Sequence, residues 1–386
     1  SFWHHWPYLN NIAPKPLESS MSESPKTHTL TYSNYLKINE LLDLQQPLSR
    51  MADGRPAHDE MLFILIHQAY ELWFRQILHD VESVRQHFAQ PSLPESLMGV
   101  VVNRLERTRL ILDLLIDQVR VLETMTPLDF LDFRNALGSA SGFQSFQFRV
   151  LELTLGLPTQ HRINYGTITY RDALNPEEQA QLNDLYKKPS LFDLVQTWLE
   201  RTPFVQQDTF DFVAVYRQAL NASYDEELAR IEQWTHVSPE EQAVRRQLVD
   251  ASRNQILALL SPETHAQQVE AGFIRLSWNA LVAALLISVY RDQPMLQLPW
   301  RVIQLLVDLD DRLATWRFRH AQMVLKMLGK KVGTGGSSGY DYLMKTVESH
   351  VVFRDFAVVS TLLVPRDRLP PLPDSLRNQL NFAFGQ

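Results

Sequence analysis

Residues 59–88 read DEMLFILIHQAYELWFRQILHDVESVRQHF, and the spacing of their apolar side chains decides the fold. Leu62, Ile66, Ala69, Trp73 and Ile77 recur at steps of three and four, which gathers them on one face of an α-helix. A half-buried strand would alternate instead, and would be far shorter. The same reading extends outward. Val101–Leu122 continues the helical period with no internal Gly or Pro. Pro127–Leu137 predicts a shorter helix, with Pro127 suited to its first turn and Gly138 to its end. Further helices are expected at Ser141–Leu155, Leu191–Glu200, Thr209–Trp234, Pro239–Leu260 and Gly272–Tyr290, and from about Leu298 to Leu328, stopping at Gly329. Period-two runs are almost absent. The fold class is therefore all-α, a multi-helix fold around one core.

The polar stretch Thr235–Gln242 reads as the turn of a helical hairpin, so residues 204–262 are expected to form a helical sub-domain within a single domain spanning 28–368. Four prolines between Pro365 and Pro373 mark where regular structure is expected to end, leaving 369–386 as a tail. Residues 1–27 read as a leader with no apolar signal core, and Met21 could be the natural start.

Composition narrows the function. The chain has 386 residues, 45% of them hydrophobic, and a formal charge of −7 with both signs interspersed. No basic block suggests a nucleic-acid partner. The longest apolar stretch, Leu276–Tyr290, contains Ser277, Asn279 and Ser288 and is too short to span a bilayer, so no membrane association is expected. There is no cysteine, which removes disulfides, thiolate metal sites and cysteine nucleophiles, and is compatible with a cytoplasmic location.

Three residues break their surroundings. His320 shares its helix face with Leu313, Trp316, Met323, Val324 and Met327. His67 lies between Phe63 and Ile64 on one side and Tyr70 and Phe74 on the other. A histidine on so apolar a stripe is either a hydrogen-bonded core residue or a ligand to something apolar. Haem needs one axial imidazole, an apolar slot and often a polar group across the iron. Arg134, four residues after Phe130 and three before Leu137, is costly on such a face unless it meets an anion. A bound carboxylate, a protein salt bridge and a rim position all answer that need. The stretch GTGGSSG at 333–339 holds four of the 13 glycines. It contains a formal G-x-S-x-G match, but a helix precedes it where a serine-hydrolase elbow requires a strand.

Taken together, these segments resemble the tryptophan 2,3-dioxygenase family. The stretches are LTYSNYLK at 30–37, HDEMLFILIHQAYELW at 58–73, Phe133-Arg134, SGFQSFQFR at 141–149, WLERTP at 198–203, WRFRH at 316–320 and the glycine-rich run at 333–339. They follow the family's order over nearly the whole chain. The resemblance implies haem b, ferrous in the active form, with His320 as the axial ligand and His67 as the distal histidine facing the indole N–H. It implies a substrate pocket formed by Phe63, Ile64, Leu65, Ile66, His67, Phe130, Arg134, Leu137, Ser141, Gly142 and Thr334. Within it, Arg134 would hold the substrate carboxylate and Thr334 the amino-acid end. Tyr32 and Tyr35 would belong to an N-terminal arm that completes a neighbouring subunit's site in a homotetramer. The implied reaction cleaves the indole C2=C3 bond of L-tryptophan with dioxygen to N-formyl-L-kynurenine. The alternatives are an aromatic hydroxylase on the same scaffold and a non-catalytic helical haem protein.

Overall fold

The run at 59–88 forms one unbroken helix in the computed structural model, which describes residues 30–158, 174–203, 205–207, 210–330 and 339–382. Two short helices lead into it, α1 (Tyr32–Leu36) and α2 (Ile38–Leu42), separated by Lys37 in a left-handed conformation. Then come α3 (Glu60–Phe88), α4 (Glu95–Leu122), α5 (Pro127–Arg134), α6 (Phe146–Leu155), α7 (Pro176–Tyr186) and α8 (Leu191–Glu200). A two-residue antiparallel pairing, Gln206↔Asp211 and Gln207↔Phe210, precedes α9 (Phe212–Glu232), α10 (Pro239–Leu259) and α11 (Pro262–Glu270). The chain closes with α12 (Trp278–Val289), α13 (Pro294–Leu328), α14 (Gly339–Ser349), α15 (Arg354–Val358) and α16 (Asp374–Leu380). The all-α reading holds.

Local chemistry sets many of the boundaries. Thr126 accepts from the Asp129 N–H while Asp129 answers the Thr126 N–H, and Pro127 occupies the first turn of α5. The same reciprocal box, again with proline in the first turn, opens α7 at Asn175 and α10 at Ser238. Several boundaries differ from expectation. α5 stops at Arg134 rather than Leu137, because residues 135–140 form turns through Gly138 at φ 56°. The expected helix at 141–155 is split in two by a pair of serine caps. Ser141 caps a 3-10 turn at Gly142–Gln144, and Ser145 caps α6. Ser277 caps α12, so residues 272–277 lie outside that helix. Helices α7, α11 and α14 were not expected, nor was α16. Leu376 and Leu380 of α16 are fully buried in the main core, so this part of the presumed tail belongs to the domain.

That core is built where α3, α4, α6, α8, α12 and α13 meet. Every residue from Ala280 to Ile287 in α12 is buried, as expected for a helix apolar all round. Each leucine or isoleucine so buried contributes about 1.5–3 kcal/mol. Among the described residues no helix is long and apolar enough to cross a membrane. The hairpin of α9 and α10 is tied in through Phe212, Tyr216 and Leu220, which join the same core, whereas α10 itself buries no residue fully. A smaller cluster, including Ile66, Leu122, Met125, Phe130, Phe133 and Met327, sits where α3, α4, α5 and the end of α13 converge. Between the two clusters lies a cavity.

Candidate active site

The cavity has a volume of about 340 Å³ and is walled by residues from both clusters and from α14. The helical repeat of α3 explains one wall: Phe63, His67, Tyr70, Glu71 and Phe74 fall on one face at steps of three and four. The His67 and Phe63 rings lie 4.1 Å apart, and Phe63 continues to Phe130 at 5.9 Å and Phe133 at 5.4 Å. His67 Nδ1 lies 2.7 Å from the Phe63 carbonyl. A carbonyl only accepts, so Nδ1 carries the proton and a neutral ring keeps Nε2 as an acceptor. Burial holds the His67 pKa below the ordinary histidine value, against the opposing pull of the Phe63 hydrogen bond and the Glu71 carboxylate.

Opposite, α13 contributes Trp316, Arg317, His320, Met323, Val324 and Met327. His320 stacks on Trp316 with ring centroids 5.5 Å apart. Among the described residues neither of its ring nitrogens makes a hydrogen bond. Burial, reinforced by His67, pushes its pKa down to about 4. A neutral, unpaired imidazole on an apolar wall is the donor set that one axial iron ligand requires. No group of three or more His, Cys, Asp or Glu able to hold a metal ion occurs among the described residues.

Arg134, at the last turn of α5, is half-buried on the cavity wall and makes no ion pair or hydrogen bond among the described residues. The protein salt bridge considered for it is therefore not seen among those residues. Ser141, Gly142, Phe143 and Ser145 form a neighbouring rim. Phe143 packs edge-on against Tyr342 of α14 at 4.9 Å.

One wall carries buried charge. Glu152 of α6 receives Arg149 at 2.9 Å, Arg317 at 3.1 Å and His350 Nδ1 at 3.0 Å, and all four residues are buried. Burial alone would raise the Glu152 pKa, but Arg149, the His350 hydrogen bond and Arg317 together hold it well below the usual carboxylate range. Burial lowers the His350 pKa and so favours the neutral ring, against the pull of Glu152 toward the charged one. Asp310 accepts from the Val352 and Phe353 N–H groups next to this cluster, and burial raises its pKa to about 6.

Of the residues expected in the site, Phe63, His67, Phe130, Arg134, Ser141, Gly142 and His320 do line the cavity. Ile64, Leu65 and Ile66 do not, because each step along α3 turns the side chain by about 100°. Ile66 is buried in the smaller cluster, and Leu65 is 43% exposed on the outer face. Leu137 packs against that cluster without reaching the wall. Tyr32 and Tyr35 are 75% and 70% exposed and take no part in this chain's own cavity. Thr334 lies outside the described residues. Glu71, Arg149, Glu152, Arg317, Tyr342 and His350 were not singled out as site residues. The pairing of Arg149 with Glu152 at i,i+3 on an otherwise apolar helix was the one available signal.

An all-helical chain enclosing an apolar cavity, with an unpaired imidazole on one wall and a second imidazole and a guanidinium on others, has the make-up of a cofactor-dependent enzyme. The sequence profile of the tryptophan 2,3-dioxygenase family matches residues 18–363. The chain is 44% identical over 353 residues to a tryptophan 2,3-dioxygenase of Bdellovibrio bacteriovorus, covering 92% of this chain and 98% of that protein. It is 40% identical over 369 residues to the enzyme of that name from Dictyostelium discoideum, covering 95% and 92%. With that from Anopheles gambiae it shares 40% over 362 residues, covering 92% and 91%. The chain belongs to the tryptophan 2,3-dioxygenase family.

Proposed function

We infer that this chain cleaves the indole C2=C3 bond of L-tryptophan with dioxygen, giving N-formyl-L-kynurenine, and that it does so with haem b in the cavity between α3 and α13. The observation that carries the reading is the convergence of a neutral, unpaired His320, an acceptor-ready His67 and an unpaired Arg134 on one apolar cavity. His320 would hold the iron. Haem, when bound, supplies the activation of dioxygen.

The remaining work falls to side chains. The Arg134 guanidinium can take the substrate carboxylate bidentately. His67 Nε2 can accept the indole N–H. That N–H is a very weak acid compared with imidazolium, so His67 orients the ring rather than deprotonating it. Phe63 and Phe130 pack the indole and exclude water. Thr334 joins them on resemblance alone. The chain is further proposed to act as a homotetramer in the cytoplasm, with the arm carrying Tyr32 and Tyr35 crossing to a neighbour's site. Their exposure supports this, since large aromatic side chains left uncovered mark a contact surface.

The test is turnover of L-tryptophan beside tryptamine, which lacks the carboxylate. A charged hydrogen bond is worth about 1.5–3 kcal/mol, so Arg134→Ala should lower kcat/KM for tryptophan about ten- to a hundredfold. Tryptamine should be a poor substrate and little affected. Equal losses for both would make Arg134 structural.

A further inference from the structure

We propose that Glu71 is a positioning residue that sets the cavity rim at Ser141–Ser145 against His67, and so governs how tightly substrate is held. The inference rests on the reading of the cavity as the tryptophan site.

Glu71 lies one helical turn beyond His67 on the cavity-facing stripe of α3. Both of its carboxylate oxygens are used, and both reach the same remote segment. Oε1 accepts from the Ser145 hydroxyl at 2.6 Å, and Oε2 accepts from the Gln147 amide at 2.9 Å. The same amide also donates to the Glu71 carbonyl at 2.8 Å. Side chain and backbone of one residue therefore hold two residues more than seventy positions away.

The segment they hold is the beginning of α6 and the turn before it. Ser145 is the N-cap of α6, its Oγ accepting from the Phe148 N–H at 3.3 Å. The preceding 3-10 turn is closed on itself by Ser141 and Gln144, through Ser141 Oγ with the Phe143 N–H and Gln144 Oε1 with the Ser141 N–H. Ser141 and Gly142 are exposed, so no packed core fixes them. Glu71 thus holds one end of the rim, and Phe143 against Tyr342 is a second hold. The helix that aims His67 also carries the carboxylate that locates the rim beside it.

The glutamine variant separates charge from shape. Glu71→Gln keeps the side-chain length but turns one acceptor into a donor, which either opposes the Gln147 amide or forces the Ser145 hydroxyl to turn from donor to acceptor. In the haem-loaded full chain, Glu71→Gln should raise KM for L-tryptophan about tenfold while lowering kcat much less. The haem absorption spectrum and Tm should stay close to wild type. Gln147→Ala should raise KM in the same direction. Glu71→Gln combined with Gln147→Ala should raise KM by less than the product of the two single effects, because the two variants share the Glu71–Gln147 side-chain link. Should Glu71→Gln fail to fold, Ser145→Ala and Gln147→Ala each remove part of the link and should show the same split between KM and kcat. Unchanged KM in every folded variant, or additive losses in the double variant, would overturn the proposal in an active enzyme. A wild-type chain that does not turn over tryptophan would instead overturn the reading of the site, and this inference with it.

Discussion

His320 and Arg134 meet a shared physical demand in opposite ways. Each is a polar group on an apolar wall with no protein partner among the described residues, and such groups are retained where a ligand completes them. His320 does so by staying neutral, its pKa pushed to about 4; Arg134 offers its guanidinium to an anion. His320→Ala should therefore yield protein that loses haem on gel filtration, or keeps it only with added imidazole. A wild-type histidine-ligated spectrum in that variant, with loss of haem in His67→Ala, would reverse the assignment. His320, His67 and Arg134 were legible in the sequence because each interrupts a helical stripe of large apolar residues. Glu152, Arg317 and His350 were not. They come from α6, α13 and the chain after α14, with Glu152 separated from the other two by 165 and 198 positions. A lone charged residue on a helix reads as surface until its partners are known.

At the scale of elements, the site depends on where helices stop. The Ser145 cap turns an expected single helix into a rim and α6, and it is the rim that borders the cavity. The other end of α6 is set by Gly156, at φ 114°, where a Cβ would lie 2.6 Å from Ser190 Oγ and 2.9 Å from Phe192 Cβ. That close approach lets the start of α8 press against the end of α6. Gly156→Ala is both strained in the backbone and overpacked, so it should destabilise the fold by about 2–4 kcal/mol in urea unfolding. A change below about 0.5 kcal/mol would show that α8 shifts freely and that this junction does not fix α6. Sequence pattern found α3, α4 and α13 because their apolar stripes are long. It missed α7 and α14, whose stripes are short. It also missed α16, which lies beyond a proline cluster and is set in place by packing of Leu376 and Leu380.

For the whole molecule, one apolar surface left uncovered among the described residues is the arm. Leu30, Tyr32, Tyr35, Leu42, Leu44 and Leu48 are each at least 60% exposed. The base of the arm is nonetheless held to α3: the Glu60 carboxylate accepts from the Leu48 and Ser49 N–H groups, and Gln68 donates to the Leu44 carbonyl. A firmly rooted segment with an uncovered apolar tip fits docking onto another copy of the chain. Removing residues 1–37 should lower the mass measured by light scattering below that of the full chain's assembly and sharply reduce turnover. A fully active, monomeric 38–386 chain would contradict the crossing arm.

Above all, the cavity is proposed to insert both atoms of dioxygen into the indole ring. Turnover of L-tryptophan under isotope-labelled dioxygen, with mass spectrometry of the product, tests that insertion most directly. N-formylkynurenine carrying two labelled oxygens is the expected result. A product with a single labelled oxygen and an intact, hydroxylated ring would contradict it, and would make this scaffold a hydroxylase.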